Sequence, residues 1–245
     1  LASIDLLKQV GVGPTIDFAR LLGIKSPLAH DLSLALGSSS VTLLELTSAY
    51  SVFANKGIRM PPSFFTSVED PTGHVLEQTE MNAQQVVFEE TAFVVTNMLE
   101  NVIRSGTGRR DNVLKQAVAW KTGTTNDFID AWFIGYTPNL VVGVWVGFDD
   151  RRPLGDSESG GGAALPIWLD FMQTILPEVE SKPFVAPENV VYAKIDPSTG
   201  LLSSDPENGA MEVFVKGTEP KEYRTDLPKP GRFFEWDEEE PAEAL

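Results

Sequence analysis

The residues best suited to chemistry lie in one stretch, Trp120-Lys121-Thr122-Gly123-Thr124-Thr125-Asn126-Asp127, with Asp130-Ala131-Trp132-Phe133-Ile134-Gly135-Tyr136-Thr137-Pro138 close behind. Their apolar surroundings read as a buried strand, where a Lys and several hydroxyls are costly unless each finds a partner. An anionic carbonyl substrate supplies such partners. Lys121 and the hydroxyls of Thr122 and Thr124 can hold a carboxylate, and Gly123 lets a substrate approach the backbone. A main-chain N–H can stabilise an oxyanion. Asn126 and Asp127 both favour turns and are expected to shape the loop after the strand.

Other chemistries find less support. The chain has only two histidines, His30 and His74, far apart in sequence. It contains no Gly-x-Ser-x-Gly elbow, no phosphate-binding Gly-rich loop and no His-Glu-x-x-His. Asp149-Asp150 and the acidic C-terminus lack the ligand spacing of a metal site, so neither a metal nor a cofactor is expected. There is no cysteine, hence no disulfide and no thiol nucleophile.

A length of 245 residues with 42% hydrophobic content suffices for a real core, to which five Trp and fourteen Phe contribute. The formal charge of −16 argues against nucleic acid as a partner, because that needs a basic footprint. The first residue is Leu1, and no apolar run is long enough to span a bilayer. The chain therefore reads as a piece of a longer protein, and the missing anchor says little about where that protein resides.

The elements that would position Lys121 follow from periodicity and punctuation. Two short helices are expected over residues 2–23, broken at Val10-Gly11-Val12-Gly13-Pro14. Thr42 to Lys56 is the clearest helix, with Thr42 and Glu45 forming a capping-box pattern and Gly57 as its stop. Gly37-Ser38-Ser39-Ser40 before it reads as a solvated loop. A hairpin turns at Asp70-Pro71-Thr72-Gly73, and a helix spans about Glu89 to Arg104. Gln116–Thr125, Asp130–Thr137 and Leu140–Phe148 read as three strands, the last two joined by a tight turn at Pro138-Asn139. Gly160-Gly161-Gly162 then leads into a helix from Ala163 to Leu176. Val190–Ile195 and Met211–Val215 read as short strands, and the Glu-rich end as disordered.

The Lys-Thr-Gly-Thr-Thr stretch with the aromatic hairpin behind it resembles the transpeptidase domain of class A, bifunctional penicillin-binding proteins. That family carries three signatures: Ser-x-x-Lys, Ser-x-Asn and Lys-Thr-Gly. Only the third occurs here, for no Ser stands three places before a Lys or two before an Asn. The resemblance implies an α+β fold of the penicillin-binding transpeptidase and serine β-lactamase kind, an antiparallel sheet packed with helices. This chain would be its C-terminal half with a small β-rich extension. The implied divisions are residues 1–177 for the transpeptidase part, 178–220 for a linker and the extension, and 221–245 for an acidic tail.

The same resemblance implies roles. Lys121 would sustain the proton network around the second-signature Ser and supply positive potential. Thr122 and Thr124 would donate hydroxyls to the terminal carboxylate of a peptidoglycan stem peptide or a β-lactam, beside Gly123. The Thr124 N–H would be one oxyanion donor. Thr107, in Ser105-Gly106-Thr107-Gly108, is similar to a loop that borders the family's cleft, and Asn126 and Asp127 would stand behind the site. The nucleophile would lie upstream, together with the other half of the domain, a glycosyltransferase domain and a membrane anchor on the extracytoplasmic face of the cytoplasmic membrane. Two rivals share the third signature: a D,D-carboxypeptidase or β-lactamase, and a non-catalytic scaffold of the same fold.

Overall fold

The computed structural model describes residues 2–105, 114, 116–155, 158–205 and 209–223. They form two compact units, one ending at Val190 and one beginning at Val191.

The first unit opens with α1 (Ala2–Val10) and α2 (Val12–Leu22), separated at Gly11, whose φ of 93° suits only glycine. Helix α3 (Leu43–Ala54) begins with the full capping box: Thr42 accepts from the Glu45 N–H, and the Glu45 carboxylate accepts from the Thr42 N–H. The same carboxylate also accepts from the backbone N–H groups of Lys25 and Ser26 and from the Ser26 hydroxyl. Thus one Glu ties the start of α3 to the chain leaving α2. A two-residue strand β1 (Ile58–Arg59) follows, then the hairpin of β2 (Ser67–Glu69) and β3 (Val75–Gln78), and β4 (Gln84–Gln85), which pairs with β1. The β1–β4 pair and a 3₁₀ turn at Leu32–Leu36 were not expected from the sequence; two residues are too few to show a period. Helix α4 spans Glu89–Ser105.

The centre of the unit is an antiparallel sheet in the order β5-β6-β7, made of Ala119–Thr124, Asp130–Tyr136 and Val141–Gly147. Cross-strand partners share a face, so the register divides the sheet into two surfaces. Trp120, Phe133 and Gly135 face α5 (Leu165–Ile175), where Trp120, Phe133 and Trp168 meet with ring centroids 5.0–5.9 Å apart. Trp168 and Met172 of α5 are fully buried in this cluster. Full burial of such a side chain contributes about 1.5–3 kcal/mol, so this cluster dominates the packing of the sheet. On the opposite face, Tyr136 packs against Tyr50 of α3, and its hydroxyl hydrogen-bonds Thr96 of α4 at 3.0 Å.

The three glycines were expected to lead into a helix beginning at Ala163. Instead Gly160–Ala164 make a π turn that is continuous with the helix, capped by the Ser159 hydroxyl accepting from the Gly162 N–H. The segment after α5 stays on the first unit: Asn139 donates to Glu180 O, and the Phe184 ring lies 5.7 Å from that of Tyr136.

The second unit holds the antiparallel pair β8 (Val190–Ile195) and β9 (Ala210–Val215). The turn after β8 is organised by Asp196, whose carboxylate accepts from Ser198 and Thr199. Of the acidic tail expected to be disordered, residues 224–245 lie outside the described residues.

Candidate active-site strand

Strand β5 carries every described residue to which sequence reasoning gave substrate contact. Its burial changes along its length. Ala119 and Trp120 are buried, Lys121, Thr122 and Thr124 are exposed, and Gly123 is intermediate. The expectation of a wholly buried strand is therefore corrected. The physical reason is position: β5 is an edge strand, and only its first residues, Ala119 and Trp120, are buried in the core. The polar groups border an open edge, where solvent or a ligand can satisfy them.

The register gives each group its side. Lys121 pairs with Ile134 and Gly123 with Trp132 on the face that α3 and α4 share. Thr122 pairs with Phe133 and Thr124 with Ala131 on the face toward α5. The Lys121 ammonium donates to the Thr122 carbonyl at 2.7 Å and forms no ion pair among the described residues. A Cβ on Gly123 would sit 3.1 Å from the Trp132 Cβ, so a side chain there would crowd the neighbouring strand. The Thr124 hydroxyl accepts the Gly160 N–H at 3.0 Å.

The β5–β6 connection is a tight turn over Asn126–Phe128, with Asp127 and Phe128 at φ of 61° and 53°. Thr125 closes it twice, its N–H donating to Asp130 O and its hydroxyl accepting the Asp130 N–H. The Asp130 carboxylate also accepts the Trp145 indole N–H at 2.8 Å, joining β6 to β7 beside the site. Thr107 lies outside the described residues.

Sequence reasoning missed Thr125, Asp130 and Gly160 as supports of this strand. Gly160 had a signal in the glycine run directly before a helix, a pattern that marks close backbone approach as readily as a loop. A separate cavity of about 290 Å³, walled by Pro61, Phe65 and Met81, offers only Glu80 as an ionisable lining residue and gathers no catalytic set. Among the described residues no cluster of three or more His, Asp or Glu could hold a metal ion, and no helix is long and apolar enough to cross a membrane.

The antiparallel sheet with helices on both faces and a Lys-Thr-Gly-Thr strand at its edge defines a penicillin-recognising transpeptidase fold, and comparison with known proteins agrees. Residues 7–173 match the family model described as the penicillin binding protein transpeptidase domain, and residues 186–229 match the C-terminal domain of penicillin-binding protein 1A. The chain belongs to the penicillin-binding protein transpeptidase family. It is 40% identical over 226 residues to penicillin-binding protein 1A of Aquifex aeolicus, covering 92% of this chain and 31% of that protein. Its structure is similar to that of penicillin-binding protein 1A from Haemophilus influenzae, with a TM-score of 0.83, 30% identity, and coverage of 91% of this chain and 39% of the other. It is also similar to PonA1 from Mycobacterium tuberculosis in complex with penicillin V, with a TM-score of 0.57, 27% identity, and coverage of 72% and 52%. The chain spans about a third of the length of the curated relatives it matches.

Proposed function

We propose that this chain is the carboxylate-binding C-terminal part of a serine D,D-transpeptidase that crosslinks peptidoglycan, working at the extracytoplasmic face of the cytoplasmic membrane. The observation that carries this reading is the open edge of β5, where Lys121, Thr122 and Thr124 are exposed beside Gly123 and the Thr124 hydroxyl is already held by Gly160. In this reading residues 1–177 complete a transpeptidase domain whose upstream half brings the Ser-x-x-Lys and Ser-x-Asn signatures. Residues 178–220 are linker and extension, and 221–245 an acidic tail.

The reaction is a two-step acyl transfer. The upstream Ser oxygen bonds to the penultimate D-Ala carbonyl carbon, the amide C–N bond to the terminal D-Ala breaks, and the Ser proton ends on the departing amine. An amine of a second stem peptide then attacks the ester, forming the crosslinking C–N bond and releasing the Ser oxygen, which regains a proton. Lys121 supplies positive potential to the stem peptide's terminal carboxylate and to the proton network of the Ser groups. Thr122 and Thr124 donate their hydroxyls to that carboxylate, and the Thr124 N–H is one of two donors to the oxyanion. Removing a single oxyanion donor typically lowers turnover by about 10²–10³. A β-lactam acylates the same Ser, its ring C–N bond opening in place of the peptide bond. Asn126 and Asp127 act from behind, in the turn after the strand.

Intact-mass measurement after incubation with benzylpenicillin tests this. The expected result is no adduct on this chain and one acyl adduct on a longer protein that includes the upstream Ser-x-x-Lys. An adduct on the chain alone would place a nucleophile within these residues, and no adduct on either would remove the enzyme reading.

A further inference from the structure

Gly160 touches the Lys-Thr-Gly-Thr strand in two ways. Its N–H donates to Thr124 Oγ1 at 3.0 Å. A Cβ in its place would stand 2.4 Å from Trp132 O, 2.6 Å from Gly123 O and 3.2 Å from Gly123 N, so only hydrogen fits between the turn and the strand. Its neighbour differs: a Cβ at Gly161 would meet nothing nearer than Ser159 Oγ at 3.8 Å. The glycine run is thus two kinds of position, one pressed against the strand and one open.

The element holding Gly160 is anchored in the core. It begins the π turn Gly160–Ala164, in which Gly160 and Ala164 are both buried. Turns of this kind recur at functional sites. The turn continues into α5, anchored by the fully buried Trp168 and Met172.

A threonine hydroxyl has one proton to donate and two lone pairs to accept with. When the Gly160 N–H occupies a lone pair of Thr124, the oxygen is fixed against β5 and its proton is left to be given elsewhere. Thr124 is exposed, so that direction is open to a ligand at the strand edge.

We propose that Gly160 is a positioning residue: it holds the Thr124 oxygen so that the hydroxyl proton is presented to the substrate's carboxylate. This rests on the reading of β5 as a carboxylate-binding strand. The N–H of Gly160 replaces hydration that the free hydroxyl would otherwise have to shed, and the missing side chain sets how near the turn can come. Thr124 then meets an anion without a search among rotamers, which is what preorganisation contributes.

The test compares acylation of the longer, Ser-x-x-Lys-containing protein by benzylpenicillin and by its methyl ester, which keeps the reactive ring but lacks the anionic carboxylate. With Gly160→Ala the acylation rate by the acid falls roughly ten- to hundredfold, the value of one hydrogen bond to a charged group, and the rate by the ester stays near wild type. Gly161→Ala leaves both rates unchanged. If Gly160→Ala does not fold, Ser159→Ala decides instead. It loosens the cap of the π turn without placing a Cβ against β5, and the same acid-selective loss is expected. Equal loss on acid and ester would mean general damage to the strand and would overturn the proposal, as would no loss on either. A wild-type protein that benzylpenicillin does not label would sink the underlying transpeptidase reading, a result distinct from a labelled wild type whose variants show no acid selectivity.

Discussion

Gly135 of β6 leaves the space that Trp168 of α5 occupies. A Cβ at Gly135 would lie 2.5 Å from Trp168 Cζ2 and 2.8 Å from Cε2, while the indole N–H donates to Val142 O at 3.1 Å. The glycine and the tryptophan are one packing unit joining the sheet to α5, the helix that continues from Gly160. Gly135→Ala is expected to destabilise by about 1–3 kcal/mol through overpacking, and Trp168→Ala by about 3–5 kcal/mol through the cavity it leaves. In a Trp168→Phe background the smaller ring yields room, so Gly135→Ala should cost less than in the wild type. Urea unfolding midpoints for the double-mutant cycle measure this coupling, and strictly additive effects would show that the two residues do not share the space.

Thr47 offers the opposite case, a polar group gaining nothing. Its hydroxyl is buried where α3 crosses β7 at Gly143 and has no hydrogen-bond partner among the described residues. Burying such a group without a partner costs about 1–3 kcal/mol. Thr47→Val keeps the shape and removes the cost, so the melting temperature is expected to rise. A lower melting temperature would reveal a partner for the hydroxyl and refute the prediction.

How much of this was legible in the sequence depends on the distance over which each feature is decided. The capping box at Thr42 and Glu45 spans one helical turn, and the β6–β7 hairpin turns within Pro138-Asn139, so both could be read locally and both are present. The Lys-Thr-Gly-Thr stretch was legible as a strand for the same reason. Its exposure was not, because that depends on β5 being the edge of the sheet, a position decided by the order of all three strands. Gly160 against Gly123, and Gly135 against Trp168, join residues more than thirty positions apart. The glycines show in the sequence, but what each makes room for does not. The reach of Glu45 back to Lys25 and Ser26 was hidden likewise, since the local cap already accounted for the Glu.

That reach gives Glu45 a pH signature. The Ser26 hydroxyl favours the charged carboxylate most; desolvation, the next largest effect, opposes it, and the N–H groups of Lys25, Thr42 and Ser26 add to the lowering, which brings the pKa down to about 2. In the unfolded chain a Glu titrates at about 4.3. A carboxyl with a depressed folded pKa contributes stability that is fully present above the unfolded value and is lost as pH falls through the folded one. The contribution should therefore fade between about pH 4.3 and pH 2. Glu45→Gln is expected to be less stable than wild type at pH 7, with the difference shrinking across that window. Thermal melts of both proteins from pH 7 to pH 2 test this, and a difference constant with pH would show that the charge of Glu45 is not what holds the junction.

Lys121 is where stability and activity should separate. Its side chain is exposed, and among the described residues its ammonium reaches only the adjacent Thr122 carbonyl. A long, flexible cation held so loosely adds little to folding, so Lys121→Ala should shift stability by no more than about 0.5 kcal/mol. Trp120, its buried neighbour on the same strand, should cost about 3–5 kcal/mol on truncation to Ala. The order reverses in chemistry if Lys121 supplies the positive potential for an anionic substrate within a chain whose net charge is −16. Benzylpenicillin acylation of the longer, nucleophile-bearing protein should then fall by about 10²–10³ in Lys121→Ala, the scale on which preorganised electrostatic groups act. Unchanged acylation at unchanged stability would make Lys121 an ordinary surface lysine and would take from β5 the cation that marks it as a carboxylate site.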